Sequence, residues 1–174
     1  MNVAVIGYSG ELDDKKISSI KDICINTGKA IADAGHTLWS GGRNGVMELA
    51  SRGAKENGGN ILGVLPWEPG NHNSVPNKYV DFPIFTGMDF ATRSFVLLKN
   101  VDLVISIGGG SGTAIEIFAA YSYGKKMVFF ENTGGWTDKI IELHMGQKQP
   151  FYLDYRNSAP SYTVKTIEEL KEYL

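Results

Sequence analysis

A run of glycines precedes a glutamate in the sequence SIGGGSGTAIEIFAA, which spans residues 106–120. The apolar stretch VDLVISI comes before the glycines and GTAIEIFAAYS follows them, so we expect a strand, a tight turn and a helix. Glycine lets backbone amides approach a ligand closely, and the first turn of a helix exposes unpaired N–H groups with partial positive charge. This pattern predicts a phosphate-binding turn, with a plain turn that binds nothing as the alternative.

A second glycine-rich segment, SGGRNGVMELA, follows the second predicted strand and opens the second predicted helix. Asn-Gly is also an ordinary turn pair, so this segment alone is weaker evidence for a ligand. The chain has no Gly-Lys-Ser/Thr of a Walker A loop, and GYSGE after the first strand lacks the G-x-G-x-x-G dinucleotide pattern. Two such turns on one sheet edge predict a nucleotide or another phosphate-bearing ligand. The candidate binding residues are Gly109, Gly110, Ser111, Gly112, Thr113, Gly41, Gly42, Arg43, Gly45 and Met47.

Two charged residues accompany the first turn. Glu116 lies about one turn into the helix after the glycines, from where its carboxylate could face the ligand; the alternative is an exposed helix position. Arg93, in DFATRSFVLL, belongs to the helix before the same strand. An arginine there could grip a phosphate or a carboxylate, or lie on the surface with a buried stem.

Composition favours one α/β domain over residues 1–174. Hydrophobic residues make up 43% of the chain and the net charge is -2, so we expect no nucleic-acid or membrane partner. The single cysteine, Cys24, and the scattered histidines His36, His72 and His144 predict no metal site. The N-terminus has no basic leader, and no apolar run reaches the roughly 20 residues of a membrane span. These features predict a cytoplasmic protein. We also expect no cofactor.

Strand and helix patterns alternate along the chain. Short β-branched runs such as NVAVIG predict buried strands, and KKISSIKDICINTGKAIADAG predicts one long amphipathic helix that ends at Gly35. Near-continuous apolar strands between helices are typical of a parallel sheet. The expected fold is therefore α/β and Rossmann-like: a doubly wound, mostly parallel sheet with helices on both faces.

The sequence resembles the Lonely Guy (LOG) family, also labelled lysine decarboxylase-like. That family carries P-G-G-x-G-T-x-x-E, and residues 108–116 match it except that Gly108 replaces the proline. Arg93 has the spacing of the family's arginine, followed by Ser94 where the family has lysine, and GGRNGVM matches its other glycine-rich segment. The form IGGGSGT is closer to a subgroup that includes the molybdenum-cofactor carrier protein.

The resemblance implies a phosphoribohydrolase, which cleaves the N-glycosidic bond of a nucleoside 5′-monophosphate to free base and ribose 5-phosphate. It implies that Arg93 and Glu116 are the catalytic pair. The phosphate would bind the amides of Gly110 to Thr113 and the Thr113 hydroxyl. Because the flanking residues depart from the family pattern, a non-catalytic nucleotide or molybdenum-cofactor (pterin) carrier is the alternative function.

Apolar helices predict an assembly. The segments at Asp89–Asn100 and Gly112–Tyr123 are apolar around much of their circumference, and one sheet can cover only part of both. Leftover apolar surface is typical of an interface, and two-fold dimers are the commonest assembly. We expect a homodimer or a tetramer built from dimers, as the LOG resemblance also implies.

Overall fold

The computed structural model describes residues 1–67 and 75–174, so His72 and the centre of its loop lie outside the described residues. Strands and helices alternate through the described chain, as the sequence predicts. The elements are β1 (Asn2–Gly7), α1 (Lys15–Ser18), α2 (Lys21–Asp33), β2 (Thr37–Ser40), α3 (Val46–Glu56), β3 (Ile61–Leu65), β4 (Phe82–Phe85), α4 (Thr92–Lys99), β5 (Leu103–Ile107), α5 (Ser111–Ser122), β6 (Lys126–Phe130), α6 (Gly135–Leu143), β7 (Ser161–Val164) and α7 (Ile167–Lys171).

These strands form one sheet in the order β4-β3-β2-β1-β5-β6-β7. Every pair of neighbours is parallel, and β1 pairs with β5 in the register Val3 to Leu103 and Gly7 to Ile107. The chain builds outwards from β1 in one direction and then in the other, so the order reverses between β1 and β5. The predicted α/β Rossmann-like fold with a doubly wound parallel sheet is confirmed.

Apolar side chains cover both faces of the sheet. One core cluster takes side chains from α1, α2, α3 and α7, such as Ile31 of α2 and Leu170 of α7. The other takes them from α4, α5 and α6, including Leu97 and Ile117. Strands buried on both faces explain the near-continuous apolar runs in the sequence. None of the helices in the described ranges is both long enough and apolar enough to cross a membrane.

The prediction of one helix from residue 15 to Gly35 is wrong, because the helix is interrupted between α1 and α2. The hydroxyls of Ser18 and Ser19 donate to the carbonyls of Lys15 and Lys16, at 3.4 and 3.3 Å. Such bonds give the backbone an alternative to the helix. Ile20 then has φ −112° and ψ 11° and remains buried, so the apolar stripe continues across the break.

Candidate functional site

A pocket of about 250 Å³ opens at the carboxyl ends of β1 and β5, where the strand order reverses. In open α/β sheets ligands bind at this position. Residues that follow β1, residues that begin α5, and two apolar side chains from elsewhere in the chain form its wall. The lining residues are Gly7, Tyr8, Ser9, Met47, Phe90, Gly110, Ser111, Gly112, Thr113 and Glu116.

The glycine turn between β5 and α5 is anchored by the segment that begins α6. Gly108 has φ 64°, its N–H donates to Thr133 Oγ1 at 2.9 Å, and its carbonyl accepts from Thr137 Oγ1 at 2.5 Å. The Gly109 carbonyl accepts from Trp136 N at 2.9 Å. Because its polar groups are bonded behind the pocket, the turn presents the first residues of α5 in a fixed position.

The N-terminus of α5 supplies amides to the pocket. Gly110 is the N-cap and has no side chain to satisfy them, and the first helical bond runs from Ala114 N to the Gly110 carbonyl at 3.1 Å. The amides of Ser111, Gly112 and Thr113 therefore have no partner within the helix. Aligned amides at a helix N-terminus favour an anion.

Thr113 differs from the expectation in one respect. Its hydroxyl donates to the Gly7 carbonyl at 3.1 Å, and the residue is only 3% exposed. The hydroxyl thus joins the end of β1 to α5, because this bond satisfies its donor. Of the two donors of Thr113, only the backbone amide remains available to bind a ligand.

Glu116 lies in the same pocket as these amides, one helical turn further along α5. Ser94 Oγ donates to its carboxylate at 2.8 Å, so the serine that departs from the LOG pattern holds this glutamate. Burial raises the pKa of Glu116, while the positive charge of Arg93 and the Ser94 hydrogen bond lower it by less. The result is a carboxylate that takes up a proton more readily than an exposed glutamate.

Arg93 is buried in the first turn of α4, with 2% of its surface exposed. Its guanidinium lies 5.0 Å from the centre of the Phe90 ring, and that of Arg43 lies 4.8 Å from the same ring. Burial lowers the pKa of Arg93, an effect opposed by Glu116 and increased by Arg43, yet an arginine stays charged. Arg93 therefore places positive charge directly behind the Phe90 wall of the pocket.

The second glycine-rich segment contributes less to the pocket than the sequence suggests. Of its candidates only Met47 lines the pocket, whereas Gly41, Gly42, Arg43 and Gly45 do not, and neither does Gly109 of the first turn. The amide at the start of α3, Val46 N, donates to the Tyr8 carbonyl at 2.9 Å. That amide is therefore occupied by the chain itself.

Gly7, Tyr8, Ser9 and Phe90 line the pocket but are absent from the sequence-based candidates. One signal for the first three is available in the sequence. The segment GYSG contains the last residue of β1 and the loop after it, and in a doubly wound sheet this loop lies at the edge where ligands bind. Phe90 has no such signal, because its place depends on how the chain returns from β4 to α4.

The described residues contain no candidate metal centre. Within residues 1–67 and 75–174, no group of three or more histidine, cysteine, aspartate or glutamate side chains could hold a metal ion. The polar groups of the pocket are backbone amides, a carboxylate and hydroxyls, which suit an organic anion.

Similar proteins share this architecture. The crystal structure of TM1055 is 43% identical, with a TM-score of 0.90 over 99% of this chain and 96% of that one. The molybdenum cofactor carrier protein of Chlamydomonas reinhardtii is 27% identical, with a TM-score of 0.74 over 99% and 94% of the two chains. The molybdenum cofactor binding protein of Rippkaea orientalis is 25% identical, with a TM-score of 0.72 over 99% and 93%.

A protein from Archaeoglobus fulgidus is 37% identical over 127 residues, which are 73% of this chain and 78% of that protein. The model of the SLOG cluster4 family matches residues 1–160. That range includes every element of the pocket, from β1 to α5. The chain therefore belongs to the SLOG cluster4 family.

Proposed function

We propose that the protein binds a nucleoside 5′-monophosphate and hydrolyses its N-glycosidic bond, as the LOG enzymes that its sequence resembles do. The observation that carries this proposal is one pocket that holds both the α5 amides and the Glu116 carboxylate. Glu116 follows Gly112 by four residues, or about 6 Å along the helix. The 5′-phosphate would accept from the amides of Ser111, Gly112 and Thr113, and the ribose would extend towards Glu116.

Hydrolysis requires one proton acceptor near the anomeric carbon. Glu116 takes a proton from water as the water oxygen bonds to C1′ of the ribose. The C1′–N bond breaks and its electron pair goes to the base, whose nitrogen takes the proton that Glu116 accepted from water, so that Glu116 returns to its ionised form. Positive charge that develops on the ribose is stabilised by the nearby carboxylate. Tyr8, Met47 and Phe90 supply a largely apolar wall for the base.

The second candidate function is a non-catalytic carrier of a nucleotide or of the molybdenum cofactor. Two proteins with 27% and 25% identity are a molybdenum cofactor carrier and a molybdenum cofactor binding protein. The α5 amides would suit the phosphate of a pterin cargo as well as that of a nucleotide. Arg93, which the resemblance implies to be catalytic, does not line the pocket, and this favours the carrier over the hydrolase.

A panel of nucleoside 5′-monophosphates separates the two candidates. The hydrolase predicts free base and ribose 5-phosphate from at least one nucleotide, measured by chromatography. Amide shifts of Ser111, Gly112 and Thr113 in ¹H–¹⁵N spectra would report binding independently of turnover. Binding of a nucleotide without any base release would support the carrier, and absence of both would exclude a nucleotide as the ligand and leave the pterin cargo as the remaining candidate.

The pH dependence of hydrolysis follows from Glu116. Only its ionised form accepts a proton, so kcat/KM should fall as pH drops through its raised pKa. Because the Ser94 hydrogen bond stabilises the charged form, Ser94→Ala should raise the pKa of Glu116 and move the acid limb to higher pH. Ser18→Ala, at an exposed serine of α1, should leave the profile unchanged. An unshifted acid limb in Ser94→Ala would contradict the assignment of that limb to Glu116.

We further propose that the protein is a homodimer, or a tetramer of dimers, through α4 and α5. An apolar groove between these helices is lined by Phe95, Ile115 and Phe118, which are 39%, 47% and 48% exposed. The double variant Ile115→Glu/Phe118→Glu should dissociate the assembly, because it would place four buried charges at a two-fold contact. Light scattering should then give 19.0 kDa for the variant and a multiple of 19.0 kDa for the wild type.

The matched control for this assembly is Leu143→Glu. Leu143 is 71% exposed at the end of α6, away from the groove, so its variant should keep the wild-type mass. A wild-type protein that scatters as a single 19.0 kDa species would overturn the dimer.

A further inference from the structure

Gly41 directly follows β2 and lies against the guanidinium of Arg93. A methyl group at residue 41 would lie well under 3.0 Å from Nη1, Nη2 and Cζ of that side chain, closer than real Cβ atoms come to other atoms. Gly42, the next residue, has φ 68° and needs glycine for its backbone, whereas Gly41 has no positive φ. The reason for glycine at position 41 is therefore the space that the guanidinium occupies.

Two of the three guanidinium nitrogens are not fixed by hydrogen bonds. Within residues 1–67 and 75–174, Nε and Nη1 of Arg93 are buried and have no hydrogen-bond partner. The side chain packs between the backbone of Gly41 and the ring of Phe90, and the charge of Glu116 attracts it. Because the space around it is closely packed, the guanidinium must move when a methyl group is added at residue 41.

We propose that Gly41 is a positioning residue, which sets the place of the Arg93 guanidinium behind the pocket. This inference rests on the proposed hydrolysis for its kinetic consequence and on geometry alone for its structural one. It also gives Gly41 a different role from the phosphate contact that the glycine-rich segment suggests. Alanine at this position is compatible with the backbone, and the atoms that it meets are the far end of a flexible side chain. The fold should therefore persist while the guanidinium shifts.

The variant Gly41→Ala tests the proposal, because its effect on kcat can be compared with its effect on the dissociation constant. We expect kcat to fall by about 100-fold, because the Arg93 charge that favours the ionised form of Glu116 would be displaced, and an ångström displacement in a catalytic site has effects on this scale. The dissociation constant for adenosine 5′-monophosphate, measured by calorimetry, should change by less than about threefold, because the α5 amides are untouched. A variant in which folding, binding and kcat are lost together would point to a structural role for Gly41 and overturn the proposal.

A double-mutant cycle identifies the residue through which Gly41 acts. Arg93→Met keeps a flexible stem beneath Phe90 but has no guanidinium. In that background Gly41→Ala should change kcat by less than about twofold, because the group that it displaces is gone. An equal loss in both backgrounds would refute the coupling.

A readout without turnover separates this inference from the proposed function. The Nε–Hε signal of Arg93, assigned by its loss in Arg93→Met, should shift in the ¹H–¹⁵N spectrum of Gly41→Ala, while signals from core residues of β6 and β7 stay in place. If the wild type hydrolyses no nucleotide, the proposed function fails but a shifted signal still supports the position of the guanidinium. An unchanged Arg93 signal overturns the inference whatever the activity.

Discussion

Replacing Glu116 by glutamine is expected to abolish base release while nucleotide binding persists. Glutamine keeps the shape of the side chain and an oxygen that can accept from Ser94 Oγ, but it cannot take a proton from water. The loss should be about 10²- to 10⁴-fold in kcat, the usual contribution of a positioned general base. Steady-state kinetics on the best nucleotide of the panel would measure it.

Binding is the internal control for that variant. The proposed phosphate contacts of Ser111, Gly112 and Thr113 are backbone amides of α5, which the substitution does not alter. Calorimetry should therefore give a dissociation constant close to that of the wild type. Glu172→Gln, at an exposed glutamate near the C-terminus, should match the wild type in both binding and turnover. Unchanged turnover in Glu116→Gln would exclude the catalytic role, and loss of binding would indicate a structural one.

The fold follows from patterns that are local in the sequence. Apolar runs of four to six residues mark the strands, and the strand-helix alternation is sufficient to predict a parallel doubly wound sheet. What could not be predicted is the break between α1 and α2, since the apolar positions Ile17 and Ile20 keep helical spacing across it. Two serine hydroxyls bond to carbonyls at this interruption, and the spacing of apolar residues does not reveal such bonds.

The candidate site also has a part that the sequence is sufficient to predict and a part that it is not. Gly110, Thr113 and Glu116 are close in sequence, so helical geometry alone is sufficient to place them together. Phe90 and Arg93 reach the site through the packing of α4 against β3 and α5, which involves contacts distant in sequence. Glycine-rich segments are also ambiguous, because a glycine can be needed for the close approach of a ligand, for a positive φ or for the space that a neighbouring side chain occupies. Only the structure distinguishes Gly41, which leaves space for the Arg93 guanidinium, from the glycines that we propose contact a ligand.

The proline of the LOG motif provides the strictest test of the turn. Gly108 stands where that motif has proline, and its φ of 64° is opposite in sign to the value near −65° that a proline ring imposes. Its N–H, which proline lacks, donates to Thr133 Oγ1 at 2.9 Å. A Cβ at this position would also overlap the ring of Tyr8. The turn in this protein is therefore built for glycine.

Gly108→Pro should thus lower the free energy of unfolding by at least about 3 kcal/mol and remove nucleotide binding, because the α5 amides lose their anchor. Thermal and urea unfolding would measure the first effect, and calorimetry the second. Gly112→Ala is the matched stability control four residues along: it lies in the first turn of α5 with open space around its Cβ, so alanine should stabilise the fold by about 0.4–1 kcal/mol. A Gly108→Pro variant as stable as the wild type would show that the chain accepts the proline turn, and would remove the backbone argument that separates this protein from the LOG pattern.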